Sequence, residues 1–176
     1  MAWRYLLVAM LGSLALGNGP AWGNTLSDAE PVPVTAELAP VVRQLLSAIE
    51  KLSDYRASGP LPAVFLLPQY RIEAKVCDEP CNVRAAYVPR EGIYLSGNMD
   101  PVHEPLDRAA LLHELVHYLQ QGHPKFAGMD PCERERAKEQ EAYALQNAYL
   151  AMIGRSERVV FYDDFDCGND AAQPGR

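Results

Sequence analysis

The sequence lacks any hydrophobic run long enough to cross a membrane. Its longest uncharged apolar stretch covers residues 5–16, about 12 residues, whereas a spanning helix needs roughly 20. Arg4 precedes this stretch, and Ala21-Trp22-Gly23 after it fits a small-x-small cleavage site. This arrangement is typical of a secretory signal peptide. We therefore predict that residues 1–23 direct export to the periplasm or the medium, and that no membrane span remains after their removal.

Basic residues are scarce relative to acidic ones. The chain has 16 Lys and Arg against 23 Asp and Glu, which gives a formal net charge of −7 at pH 7. An acidic surface is repelled by phosphate backbones and by anionic lipids, so the charge argues against nucleic acid and anionic membranes as partners. It does not identify a substrate or an oligomeric state.

Cysteine is also sparse, with four residues in the whole chain: Cys77, Cys81, Cys132 and Cys167. An even number in an exported protein favours two disulfides. Cys77–Cys81 with Cys132–Cys167 is the simplest pairing, although the sequence leaves the other two pairings open. Because no second closely spaced pair accompanies Cys77 and Cys81, a zinc knuckle built from cysteines is disfavoured.

The remaining chain combines helical and strand-like patterns, which predicts an α+β fold. Apolar residues at helical spacing follow Pro40, and two further helices are predicted from 104 to about 121 and from 131 to about 153. Strand-like runs lie between the first two helices, at 63–67, 72–76, 83–88 and 93–95. We expect a small antiparallel sheet with an N-terminal helix. The predicted organisation is a flexible leader at 24–39, one domain at 40–167 and a flexible tail at 168–176.

The second predicted helix contains the sequence HELVH, an HExxH motif at 113–117. Residues four apart lie on one helical face, so His113 and His117 are placed to bind one zinc ion. Glu114 lies beside them and is predicted to act as the general base that takes a proton from water.

A catalytic zinc usually has three protein ligands, and the sequence offers two candidates for the third. Glu141 is the charged member of an otherwise apolar stripe on the long C-terminal helix. That stripe contains Ala137, Glu141, Leu145, Ala148 and Met152. Glu133, Glu135 and Glu139 alternate with basic residues and are predicted to be solvated helix charges. His123 is the other candidate, because it has metzincin spacing, although Gln120 stands where that pattern has glycine.

Two stretches carry a resemblance to a known group of proteins. HELVHYLQ at 113–120 and ExEAYALQ at 139–146 resemble small bacterial HExxH proteins of the gluzincin type. The resemblance implies a zincin-like domain with zinc bound by His113, His117 and Glu141, and with Glu114 as the base. It also implies a sheet edge that holds an extended peptide, for which Ile93-Tyr94-Leu95 is the candidate.

The expected activity is therefore zinc-dependent hydrolysis of peptide bonds in a peptide or protein substrate. Tyr143, Tyr118 and His123 are candidates for stabilising the transition state, and His103 is a further histidine near the motif. The sequence is also compatible with two alternatives. One is a zinc-bearing protein without turnover, and the other is a metal-free, disulfide-stapled envelope protein that binds a partner.

Overall fold

The described part of the chain contains four α-helices and three strands, so the predicted α+β class is confirmed. The computed structural model describes residues 33–78, 81–163 and 165–167. The helices are α1 (Thr35–Leu52), α2 (Gln69–Val76), α3 (Pro105–Gln120) and α4 (Pro131–Met152). The strands are β1 (Val64–Leu67), β2 (Ala85–Val88) and β3 (Gly92–Ser96). A short 3-10 turn, Pro124–Phe126, lies between α3 and α4.

The sheet is mixed rather than wholly antiparallel. Its strand order is β1-β3-β2, with β3 antiparallel to β2 and parallel to β1. A parallel pair needs a crossover connection, and α2 lies in that connection. The strand predicted at 72–76 is therefore wrong, because this segment belongs to α2. Ile72 is its buried residue, and Gln69 donates a hydrogen bond to Glu73 one turn later, at 2.9 Å.

The sheet separates a large core from a small one. Side chains alternate between the faces of a strand. Ile93 and Leu95 of β3 accordingly join the main core with α1, α3 and α4, whereas Tyr94 packs with Ile72 of α2. Helix α1 begins at Thr35, earlier than predicted. The Thr35 hydroxyl accepts a hydrogen bond from the N–H of Val64 at 2.9 Å, which joins the first helical turn to β1.

The ends of α3 and α4 follow the local sequence signals. Pro105 begins α3, and Gly122 follows its end with φ +70°, a conformation that glycine adopts at little cost. The Asp130 side chain caps α4 by accepting a hydrogen bond from the N–H of Cys132 at 2.9 Å. Both predicted helices are therefore confirmed. The HExxH motif lies on α3 and faces α4.

The disulfides are Cys77–Cys81 and Cys132–Cys167, which confirms the simplest pairing. All the described residues belong to one compact unit of the chain. Within them, no helix combines the length and hydrophobicity needed to cross a membrane. The predicted signal peptide at 1–23, the first part of the predicted leader and the predicted tail at 168–176 lie outside the described residues.

Candidate metal centre

Helix α3 brings the two motif histidines together at the wall of a cavity. The Nε2 atoms of His113 and His117 are 3.0 Å apart, and their side chains are only 11% and 15% exposed. Both rings line a cavity of about 480 Å³. The one-turn spacing predicted from the sequence thus produces two nitrogen donors aimed at the same point.

A carboxylate from α4 completes the cluster. Glu139 Oε2 lies 3.3 Å from Nε2 of His113, and Glu139 Oε1 lies 3.1 Å from Nε2 of His117. Tetrahedral zinc with ligand bonds of about 2.0–2.1 Å separates its ligand atoms by about 3.3 Å. The two nitrogens are therefore separated by about one edge of a zinc tetrahedron, and each has one of the two Glu139 oxygens at a similar distance. Imidazole and carboxylate are both ligand types that zinc accepts.

The structure places Glu139, not Glu141, beside the histidines. The buried residues of α4 are Ala142, Leu145, Gln146, Tyr149 and Leu150. This stripe lies to one side of the predicted one, whose last member, Met152, is 47% exposed. The face towards α3 therefore carries Glu139, and Glu141 falls on the side of α4 near Tyr55. The prediction that Glu139 is a solvated charge is wrong for the same reason.

Both histidines are oriented through their second ring nitrogen. Nδ1 of His113 lies 3.2 Å from Oε1 of Gln146, and Nδ1 of His117 lies 2.9 Å from Oε1 of Gln120. Because each partner is a carbonyl oxygen, each Nδ1 carries the hydrogen. In the neutral ring Nε2 is then left with its lone pair, which is the form that binds a metal.

Glu141 contacts His117 only indirectly, through Gln120. The Gln120 amide is 1% exposed, and its Nε2 donates to the carbonyl of Lys138 at 3.0 Å and to Glu141 Oε2 at 3.1 Å. Two acceptors fix the amide nitrogen and so turn the amide oxygen towards His117. Glu141 also accepts hydrogen bonds from the Tyr55 hydroxyl at 2.5 Å and from Lys125.

The electrostatics of the cluster favour a cation at its centre. Burial alone would raise the pKa of Glu139, but its contacts with His113 and His117 outweigh burial and hold that pKa well below its usual range. Burial likewise tends to lower the pKa of His117, yet the carboxylates of Glu139 and Glu114 raise it above its ordinary value of 6.5. A bound metal would replace the proton that these carboxylates attract.

Glu114 lies next to the ligands and lines the same cavity. It is 8% exposed, and its Oε2 accepts a hydrogen bond from the backbone N–H of Tyr87 at 2.7 Å. Tyr87 belongs to β2, so this bond fixes the Glu114 carboxylate against the sheet edge. One carboxylate oxygen is thereby oriented, and the group as a whole faces the space beside the histidines.

The edge of the sheet near the site is β2, not the predicted Ile93-Tyr94-Leu95. Those three residues belong to β3, which is the central strand and is buried along its whole length. Residues of β2 and its flanks, including Ala86, Tyr87 and Pro89, line the metal cavity. The run at 93–95 is apolar because it is buried on both faces, which is the pattern of a central strand rather than an edge strand.

Of the four other candidate residues from the sequence, one lines the metal cavity and three lie outside it. Tyr143 lines the cavity, and its ring centroid lies 4.5 Å from that of His113. Tyr118 donates to the carbonyl of Pro60 at 3.0 Å. His123 packs against Tyr55, with 4.9 Å between ring centroids, and lies outside the metal cluster. His103 pairs with Asp100 at 2.8 Å in the loop before α3.

Replacing Gln120 with alanine is expected to weaken zinc binding by about 10–100-fold, the usual effect of losing an outer partner of a histidine ligand. The ring of His117 then loses the acceptor that fixes its tautomer. Competition titration with a chromogenic chelator measures the change. Gln121→Ala, the neighbouring amide, serves as the control, and an unchanged affinity in Gln120→Ala would contradict the role of this amide.

Zinc affinity is expected to fall as the pH is lowered, beginning above pH 6.5. The raised pKa of His117 means that a proton already competes for Nε2 at that pH, and each unit below the pKa costs about tenfold in affinity for each proton displaced. The same chelator titration, repeated between pH 5.5 and 8.5, checks this. A flat profile over that range would exclude histidine ligands.

Comparison with known protein families identifies the family of this chain. A family model described as a domain of unknown function (DUF6647) matches residues 35–163. No curated protein and no solved structure matches the chain. The matched region runs from the first residue of α1 past the end of α4 and includes the three cluster residues and Glu114. The chain therefore belongs to the DUF6647 domain family.

Proposed function

We propose that this protein is an exported zinc-dependent peptidase. One observation carries the proposal: Nε2 of His113 and Nε2 of His117 lie 3.0 Å apart, and each lies within 3.3 Å of one of the two carboxylate oxygens of Glu139. This set would hold zinc through three protein ligands, and a site of that kind keeps a fourth position for water or substrate. When bound, zinc supplies a Lewis acid for the scissile carbonyl and lowers the pKa of a coordinated water.

Glu114 supplies the proton transfers in this proposal. It lies in the same cavity as the ligands, so it can take a proton from the attacking water and later return it to the leaving amine. The bond from the Tyr87 N–H orients one oxygen of this carboxylate. General acid–base catalysis by a positioned carboxylate contributes roughly 10²–10⁴-fold in rate.

An extended peptide is the substrate class that the cavity suits. Strand β2 borders the cavity and pairs with β3 on one side, and no described strand pairs with its other side. Such an edge offers backbone groups to a peptide that adds to the sheet. The Tyr87 N–H is already bonded to Glu114, so the peptide would use other backbone groups of this edge.

Export is part of the same proposal. The two disulfides fit an oxidising compartment, where such bonds form and persist. The residues predicted to direct export precede the described part of the chain.

The proposal is tested by removing and restoring the metal. Protein purified from the export compartment is expected to cleave a mixed peptide library, to lose cleavage after treatment with a chelator and to regain it with one equivalent of zinc. Mass spectrometry of the library measures cleavage. Stoichiometric zinc without cleavage of any peptide would instead favour the alternative of a non-catalytic zinc protein.

A further inference from the structure

The segment that follows α4 is held against the helix at several points, although it forms no helix or strand in its described residues. Asn147 of α4 makes two hydrogen bonds to the backbone of Val159, both 2.8 Å. Arg136 donates to the carbonyl of Phe165 at 2.9 Å. The disulfide between Cys132 and Cys167 fastens the end of the segment to the first turn of α4. The backbone of this segment is therefore held against α4 at Val159, Phe165 and Cys167.

These attachments place aromatic rings next to a predicted metal ligand. Tyr143 stands 4.5 Å from His113 between ring centroids, Phe161 stands 5.4 Å from Tyr143, and Phe165 stands 6.5 Å from Phe161. All three distances lie within the range over which aromatic rings contact each other. A row of rings thus leads from the metal cluster to the C-terminal segment.

A second cavity, of about 330 Å³, opens along this row. It is lined by Glu139, Tyr143, Val160, Phe161, Tyr162 and Phe165. Glu139 and Tyr143 also line the metal cavity, so the two cavities meet at these residues. Two apolar side chains of the wall face solvent, since Val160 is 58% exposed and Tyr162 is 79% exposed. Exposed apolar surface beside a polar site is characteristic of a binding groove.

We propose that this aromatic pocket binds one aromatic or large aliphatic side chain of a peptide whose backbone lies over the metal cluster. The inference rests on the proposed function, because it takes the peptide to be the substrate. The size of the pocket, at the lower end of the roughly 300–1,000 Å³ range of ligand sites, suits one side chain rather than a folded segment.

The test uses the full chain carrying Glu114→Gln, loaded with zinc so that peptides bind without being cleaved. Calorimetry compares capped tetraglycine with four versions that carry one phenylalanine at each position in turn. At least one phenylalanine peptide is expected to bind about tenfold more tightly than the parent, the scale of discrimination that an apolar pocket provides. Phe161→Ala and Tyr162→Ser should each reduce this advantage to less than about threefold. Tyr162 is so exposed that its replacement preserves the fold.

Tyr70→Ala is the matched control, because Tyr70 is a tyrosine on α2 that is 53% exposed and lines neither cavity.

Equal binding of all five peptides, or an advantage that both pocket variants retain, would overturn the inference. So would self-association of the protein that Tyr162→Ser abolishes. Cleavage by the wild type without preference for apolar residues would overturn the pocket and leave the peptidase standing. Peptide binding that depends on Phe161, without cleavage by the wild type, would overturn the peptidase and leave the pocket standing.

Discussion

Replacing Glu114 with glutamine is expected to lower peptide hydrolysis by roughly 10²–10⁴-fold while zinc remains bound, because that is the contribution of a positioned general base. The glutamine amide cannot take a proton from water. Its oxygen can still accept the hydrogen bond from the Tyr87 N–H, so the edge of β2 keeps its contact with α3. Initial rates on a cleaved library peptide, together with zinc content by mass spectrometry, measure both effects.

The control for this experiment is Glu133→Gln on α4. Glu133 pairs with Arg136 at 3.2 Å and its side chain is 49% exposed, so the change removes the same charge from a site outside the cavity. Its rate is expected to match that of the wild type. Full activity in Glu114→Gln would remove Glu114 from the mechanism, and loss of zinc in that variant would mean that Glu114 supports the ligands instead.

Replacing Glu139 with glutamine is expected to weaken zinc binding by more than about 100-fold, whereas the same change at Glu141 should cost less than about tenfold. Losing a ligand must exceed the 10–100-fold effect of losing an outer partner. Glu141 contacts the cluster through Gln120, and a glutamine at 141 can still accept hydrogen bonds from Gln120 and Tyr55. Chelator competition at pH 7.5 gives both affinities.

Each of these two glutamate variants serves as the control for the other, because they make the same chemical change two residues apart on one helix. The reverse order of effects would restore Glu141 as the ligand. Equal and small effects would mean that the two histidines bind metal without a glutamate from α4. Melting of the metal-free proteins separates either result from a loss of fold.

The histidine pair and the position of Glu114 beside it could be predicted because their geometry is local. Four residues of helix fix the relation between His113 and His117, and Pro105 and Gly122 mark the ends of that helix in the sequence. The capping residue Asp130 likewise marks the start of α4. Such signals depend on backbone hydrogen bonding within a few residues, so they can be identified from the local sequence without knowing the rest of the fold.

The third cluster residue could not be found in this way, because it depends on how α4 rotates against α3. Alanines are spread around α4, so its sequence does not single out one apolar face. Glu141 stood out on one candidate stripe, but the buried contacts of Ala142, Gln146 and Tyr149 turn Glu139 towards the histidines. The informative signal was Gln146, a buried amide on a different face of α4 from Glu141. Gln146 serves as a hydrogen-bond partner of His113.

The errors in the sheet have a similar origin. The alternation at 72–76 is as compatible with a short amphipathic helix as with a strand, and only the pairing of β1 with β3 decides between them. The sequence prediction assigned residues 93–95 to the sheet edge, but a strand is central only because other strands pair with both of its sides. Pairing between distant segments is not encoded in any short window of sequence.

The proposed function depends most on a divalent metal held between α3 and α4. Anomalous diffraction at the zinc edge, from crystals of the full exported chain supplied with one equivalent of zinc, tests this most directly. We predict one strong peak within bonding distance of Nε2 of His113, Nε2 of His117 and a carboxylate oxygen of Glu139. A peak elsewhere, or no peak at this cluster while the metal is present in excess, would exclude this cluster as the metal site.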